Sequence, residues 1–515
     1  MTGYNHGGAR DGAGRNPLSI DEKKFGTKIY ITQEVKELVS KYGNGENFST
    51  KAVELLTAEI NNRKNKKIKK NKKLKFIDLF AGLGGLRIGF EQAFQELGFE
   101  TECIMTSEIK PAAITALKEN FANESLVGDI TKVDENEVED FDFLLAGFPC
   151  QAFSAAGKGL GFLDTRGTLF FEVERILKKK KPYGFILENV EGLVTHDRKN
   201  PKDEIGRTLT VILESLKNLG YKVNWRILES QDFGVPQLRK RVFIVGTLDE
   251  QVDLNNFEVK SVILDDVLER GKPLVDSHFT RCLLKHYSSE QLHGKAIKDK
   301  RGGANNIHSW SIGLKGEITE EQKIIIEKLF KERRKKHWAE EIGIKWMDGM
   351  PLTMEQISTF YNHHNLKGLL DDLVEKGYLV MEHPKDVVQV MMEDGRIKEE
   401  RRQDKTKPKG YNIVAGKLSF EFTKILDSYD IAPTLVATDV SRIGVIDGKG
   451  IRKLTIREGL RLFGYPETYT LEMFNDDSTG IAKAFDLLGN TVAVPVVKEV
   501  AKKLGDIYIR HSEEV

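Results

Sequence analysis

Proline, cysteine and glutamine stand in succession at Pro149-Cys150-Gln151, separated by Gly147-Phe148 from the apolar run Phe141–Ala146. A cysteine at the end of a strand and beside a proline is presented to a cleft instead of packing as a small hydrophobe. As a thiolate it is a nucleophile. Glu188-Asn189-Val190 follows the apolar run Tyr183–Leu187, and Gln237-Leu238-Arg239-Lys240-Arg241 leads into the run Arg241–Val245. If these runs are neighbouring strands, Cys150, Glu188, Arg239 and Arg241 stand on one rim. A thiol, a carboxylic acid and two guanidinium groups together are equipped for covalent catalysis with proton transfer and charge neutralisation.

A second segment suits a ligand. The run Lys75–Phe80 passes into Ala81-Gly82-Leu83-Gly84-Gly85 and then into a helical pattern. Glycines at the carboxyl end of a first strand let the backbone approach a bound molecule, at the edge where open sheets hold cofactors. The spacing differs from the dinucleotide pattern G-x-G-x-x-G. Glu108 follows the second run, where a carboxylate would accept from ribose hydroxyls, and Asp129 follows the third, placed to accept from an adenine amino group. Loop 154–170 contains Gly157, Gly159 and Gly161, the glycine content of a lid. His363 and His364 are adjacent, and neighbouring side chains on a helix diverge, so they read as a surface pair and no metal site is expected.

The elements that must position these residues alternate. Apolar runs at 75–80, 102–107, 125–127, 141–146, 183–187, 224–228 and 241–245 are separated by helical patterns at 86–97, 111–121, 168–177 and 205–219. That order predicts a parallel, doubly wound α/β sheet. The rhythm stops near Thr247, and residues 250–435 are irregular and highly charged. Within them Thr319–Arg333, Leu352–Tyr361 and Asn365–Glu375, followed by KGYLVMEHP, resemble a winged helix or form a generic helical insertion. Upstream, Thr27–Thr32 alternates like a strand. Gln33–Tyr42 and Thr50–Ile60 have helical periodicity, with Asn47 or Ser49 as the cap of the second. This resembles a ribbon-helix-helix DNA-binding module, or else is a structural appendage. In Arg63–Lys73 eight of eleven residues are basic, which reads as an exposed linker or a phosphate-binding arm.

A chain of 515 residues, 40% hydrophobic and 30% charged, has room for about three domains and is not broadly disordered. The net charge of +1 identifies no partner. Three cysteines without a C-x-x-C pair make no disulfide framework, and no run of eighteen apolar residues or secretory h-region occurs, so a cytoplasmic location without a membrane partner is expected.

The ordered segments DLFAGLGG, GFPCQAFS, ENV, QDFGVPQLRKRVFIVG, REGLRLFGYPETY and LLGNTVAVPVV resemble the bacterial cytosine-C5 DNA methyltransferases of restriction-modification systems, over about 75–250 and 431–510. The resemblance implies a Rossmann-like S-adenosylmethionine-dependent sheet with a smaller target-recognition domain. It implies methylation of C5 of a cytosine flipped out of duplex DNA. Cys150 would add to C6, Glu188 would hold or protonate N3, and Arg239 and Arg241 would bind the base carbonyl, steady the carboxylate and lower the thiol pKa. Cofactor positions carried over are Phe80, Gly82, Leu83, Gly84, Glu108, Ile109, Asp129, Ile130, Gly147, Pro149, Leu169, Asn490 and Thr491. Ile109 stands where the family often has an aromatic residue stacked on adenine. Ser154, Gln237, Thr434 and Arg442 would face the DNA. The expected organisation is a ribbon-helix-helix-like module at 1–62, a basic linker at 63–73 and a catalytic domain at 74–260. A target-recognition domain at 261–479, with the winged-helix-like part at about 319–385, and a segment at 480–515 returning to the catalytic domain complete it. Expected partners are double-stranded DNA and a cognate endonuclease, with the enzyme a monomer on DNA or a dimer through residues 1–62, in the bacterial cytoplasm and nucleoid. Two rivals share the residues: the same chemistry on tRNA, and a non-catalytic binding protein that keeps the fold.

Overall fold

In a computed structural model the described residues are 28–68, 73–122, 125–149, 169–300, 302–391, 397–414, 420–436, 440–475 and 478–514, and the chain divides into two units, 1–72 and 73–515. The first holds two helices, α1 (Gln33–Tyr42) and α2 (Phe48–Ile68). The Thr32 hydroxyl caps α1 by accepting from the Val35 amide at 3.3 Å, and the Asn47 carboxamide accepts from the Thr50 amide at 3.0 Å. Two expectations are corrected here. Residues 28–32 form no strand, because a strand needs a ladder partner and none of the described residues supplies one. The helix α2 runs on through Ile68, so the first half of the basic run is helical backbone and not an open linker.

The second unit is built on a seven-stranded sheet: β1 (Leu74–Leu79), β2 (Thr101–Ser107), β3 (Leu126–Val127), β4 (Phe143–Ala146), β5 (Gly184–Val190), β6 (Lys222–Glu229) and β7 (Lys240–Thr247), in the order β3-β2-β1-β4-β5-β7-β6. Strands β1 to β5 are parallel. Strand β7 lies between β5 and β6 and runs antiparallel to both, which corrects the all-parallel expectation. The physical reason is the short connection 230–239, which cannot carry a covering helix back across the sheet.

Both faces are covered, as near-continuous apolar strands require. Helices α3 (Gly85–Glu96), α4 (Pro111–Asn120), α5 (Leu169–Lys180), α6 (Gly192–Thr195) and α7 (Arg207–Asn218) fall between the strands. Val173, Ile176 and Leu177 of α5 pack with Leu209, Ile212 and Leu216 of α7 on one face. On the other, Leu86, Phe90 and Phe94 of α3 meet Val497, Val500 and Leu504 of the helix Val494–Glu514. Each such side chain contributes about 1.5–3 kcal/mol when fully buried. A Cβ on Gly89 would lie 2.6 Å from that of Val497, so glycine is what lets the two helices touch. The stretch Ser478–His511 has the length and hydropathy of a membrane span, yet more than half of its most apolar part is buried in this packing, as in the core of a globular protein.

In chain order, residues between β7 and these last helices contribute two further clusters. One packs Phe279, Leu283 and Phe422 against a small sheet of short strands ending in Ile443–Asp447 and Gly450–Lys453. The other is a helical body of Glu320–Glu332, Lys336–Ile342, Met354–Ser358 and Leu366–Glu375. It is followed by the strand Leu379–Glu382, the hairpin Lys385–Met391/Ile397–Gln403, and the strand Gly410–Ile413, which pairs with Leu379–Glu382. Helix Lys336–Ile342 was not foreseen from the sequence, and the helix expected over 352–361 is confined to Met354–Ser358.

Candidate active site

The reversed strand β7 assembles the rim. Because it enters the sheet beside the exit of β5, Arg241 at its start pairs with Val190 at the end of β5. Glu188 is two residues before Val190, on the same face and diagonal to Arg241. The Arg241 Nε lies 3.0 Å from Glu188 Oε1, with both side chains largely buried. Burial pushes the Glu188 carboxyl above the usual range, and the positive charges of Arg241 and Arg239 draw it partly back. A carboxyl raised in this way is better able to hold a proton and present it to a ring nitrogen.

Strand β4 delivers the loop that leads to Cys150. A Cβ on Gly147 would stand 3.6 Å from Glu188 Oε2 and 3.9 Å from the Phe80 carbonyl oxygen, so this backbone lies between the acid and the glycine-rich loop. Asn189, on the opposite face of β5 from Glu188, donates from Nδ2 to the Phe148 carbonyl at 3.1 Å. It therefore fixes the backbone two residues before the cysteine. Cys150 and Ser154, with the rest of 150–168, lie outside the described residues.

The glycine-rich loop is held in left-handed backbone at Phe80, Gly82 and Gly84, with φ of 58°, 58° and 70°. At Phe80 that conformation is strained, and it persists only where surroundings enforce it. A Cβ on Gly82 would meet no described atom within 4 Å, so the loop has an open side. Glu108 accepts from the Gly82 amide at 2.7 Å through one oxygen, and from the Ile109 and Lys110 amides, each at 2.8 Å, through the other. Ile109 is 68% exposed beside it, an apolar surface available to a flat ring. Asp129 accepts from the Thr131 amide and hydroxyl, which holds its carboxyl below the usual range. Beneath the loop, Asp78 is fully buried, and neither carboxylate oxygen has a hydrogen-bond partner among the described residues. Burial, with Glu108 and Glu91 nearby and Arg87 opposing, pushes its pKa up to about 8.

Several expected positions are placed differently. Arg239 is 2% exposed and points inward, donating to the carbonyls of Leu435, Gly489 and Thr491 at 3.1, 2.9 and 2.6 Å. Three core carbonyls thus engage its guanidinium, and its charge acts on Glu188. Gln237 is fully buried, donates to the Leu462 carbonyl at 2.9 Å and bridges to Ala432, so it is a tie within the core and not a DNA contact. The Thr434 hydroxyl, on an exposed residue, donates to the Leu238 carbonyl. Arg442 is exposed. The Ile130 and Leu83 side chains belong to the core, leaving only their backbones to a ligand. Asn490 is exposed and bonds back to the Asp486 carbonyl, whereas Thr491 is buried with its hydroxyl 2.5 Å from that of Tyr465. Pro149 and Leu169 border the undescribed segment. Asp78, Asn189, Tyr465 and Tyr469 were given no role from sequence. Only Asp78 had a clear signal, a charge inside the otherwise apolar Phe76-Ile77-Asp78-Leu79-Phe80.

A doubly wound sheet with an open glycine-rich loop and an acid–guanidinium pair on its carboxyl rim has the makings of a ligand site beside a proton-transfer group. Residues 74–506 match the family described as C-5 cytosine-specific DNA methylase. The chain belongs to that family, and its activity is the methylation of cytosine at C5 in DNA. It is 57% identical over 431 residues to the type II methyltransferase M.NlaIV of Neisseria lactamica, covering 84% of this chain and 98% of that one. M.BanI of Aneurinibacillus aneurinilyticus is 40% identical over 458 residues, covering 84% and 96%. Among solved structures, the methyltransferase EhMeth of Entamoeba histolytica aligns with a TM-score of 0.45 and 15% identity over 85% of this chain and 99% of that one.

Proposed function

We propose that the enzyme protects the DNA of a bacterial host as the modification half of a restriction-modification pair, methylating one cytosine in a specific duplex sequence. The likeness to named type II methyltransferases supports this setting, with a cognate endonuclease as functional partner and the cytoplasm, at the nucleoid, as the place of work. The observation that carries the chemistry is the Glu188–Arg241 pair at 3.0 Å, beside the strand that leads into Cys150.

Cytosine C5 is a poor nucleophile, so the Cys150 thiolate adds at C6 and pushes electron density to C5. Glu188 holds the proton at N3 as charge builds in the ring, and Arg241 keeps Glu188 oriented and its charge balanced. Once C5 is methylated, loss of the C5 proton expels the Cys150 sulfur. The residues around the glycine-rich loop fit S-adenosylmethionine: a buried carboxyl at Asp78, without a hydrogen-bond partner among the described residues, suits a cationic ligand, and Gly82 offers open backbone. Phe80, Gly82, Leu83, Gly84, Glu108, Ile109, Asp129, Ile130, Gly147, Pro149, Leu169, Asn490 and Thr491 would hold it. When bound, that cofactor supplies an electrophilic methyl group on sulfonium.

Thr434 and Arg442, with Ser154, would face DNA, and the helical body with its hairpin would act as a winged-helix-like reader. Residues 1–62 would pair with a second copy, forming the two-stranded ribbon that one copy lacks. The test is duplex DNA carrying 5-fluorocytosine at the methylated position, which cannot lose a C5 proton. A covalent complex mapped to Cys150 is expected, and its absence with active enzyme refutes the assignment.

A further inference from the structure

The loop assigned to the cofactor is gripped from behind by a segment nearly four hundred residues later. Tyr469, 3% exposed, donates its hydroxyl to the Leu83 carbonyl at 2.9 Å. The next residue, Thr470, exchanges two bonds with the Asn120 side chain at the end of α4, at 2.7 and 2.8 Å. The Tyr465 ring lies 4.7 Å from that of Tyr469, and a Cβ on Gly85 would come within 2.9 Å of the Tyr465 hydroxyl. Phe121 closes the same side, since a Cβ on Gly84 would come 2.8 Å from its ring. Tyr469, Tyr465 and Phe121 thus stand against a loop whose backbone is left-handed at three positions.

We infer that Tyr469 is a positioning residue for cofactor binding, holding the Leu83 carbonyl back so that the strained loop keeps its receptive shape. Strain of this kind relaxes when a tether is lost, and a relaxed loop must be re-ordered at the expense of affinity. The tether comes from FGYPETY, near the end of the stretch 261–479 expected to read DNA. Cofactor affinity is thereby set in part by how that segment seats.

The inference rests on the cofactor reading of the loop, and the experiment separates the two. S-adenosylhomocysteine is titrated calorimetrically into the full-length wild type, Tyr469→Phe and Tyr221→Phe, without DNA. Tyr221 is an equally buried tyrosine whose hydroxyl donates to the Pro182 carbonyl at 2.9 Å, where both residues precede their strands at the opposite edge of the sheet. Loss of one neutral hydrogen bond predicts affinity about three- to tenfold weaker in Tyr469→Phe, with Tyr221→Phe within about twofold of wild type. In turnover the Tyr469→Phe change should raise KM for the methyl donor and leave kcat unchanged. Equal affinity in wild type and Tyr469→Phe, or equal weakening in both variants, overturns the positioning role alone. A wild type that binds no S-adenosylhomocysteine overturns the cofactor reading and this role with it.

Discussion

Replacing Asp78 by asparagine tests whether the floor of the cofactor loop is built for a positive ligand. In the folded protein the Asp78 pKa stands at about 8 against an ordinary 3.8, chiefly through burial. Between those values the folded state holds a proton that the unfolded chain has released. Stability therefore falls as pH rises from the unfolded pKa to the folded one, and the loss is complete above the latter. The asparagine side chain has nearly the same shape as that of aspartate and no charge to desolvate. Wild type and Asp78→Asn should thus differ little below the window. From pH 6 to pH 8 the variant should gain on wild type by about 2 kcal/mol, at about 1.4 kcal/mol per unit, flattening near the folded pKa. Denaturant melts of both proteins without cofactor, at pH 6, 7, 8 and 9, measure the gap directly. Curves that stay parallel across that range would refute the buried carboxyl with a raised pKa. A cationic ligand over Asp78 reverses the penalty, so S-adenosylmethionine should bind wild type more tightly as pH rises toward 8, and Asp78→Asn without that slope.

Glu188→Gln should lower kcat by about 10²–10⁴ with folding intact, the range expected for loss of a positioned proton carrier, as read by methyl incorporation into duplex DNA. Arg241→Leu removes the cation that draws Glu188 down, so the inflection of the pH–rate profile attributed to Glu188 should move to higher pH; an unmoved inflection would exclude the pairing. Asn189→Ala leaves the buried Phe148 carbonyl without its donor and should cost about 1–3 kcal/mol in denaturant melts, with a larger loss in kcat than in cofactor affinity. A chain lacking residues 1–62 should scatter light as a smaller species than the full-length enzyme while retaining methylation, and an unchanged association state would exclude pairing through that unit.

The sequence alone determined the order of the catalytic strands and helices, because apolar runs and amphipathic stretches reflect burial that any parallel sheet imposes. It also placed an acid and a glycine-rich turn at strand ends, since each directly follows an apolar run. Only the tertiary structure decided which of two arginines pairs with Glu188. Arg239 and Arg241 are two residues apart and alike in type, but a reversed β7 sets Arg241 against Glu188 while Arg239 is engaged by three carbonyls. Gln237 is another such case: a polar residue in a functional-looking segment that three-dimensional packing turned into a core tie. The strand expected at 27–32 depended on a partner that local sequence does not supply. Tyr469 shows the same limit from the other side, since a hydroxyl meeting a carbonyl 386 positions away leaves no local pattern. Periodicity reports what each segment buries, whereas contacts between distant segments exist only once the chain has closed on itself.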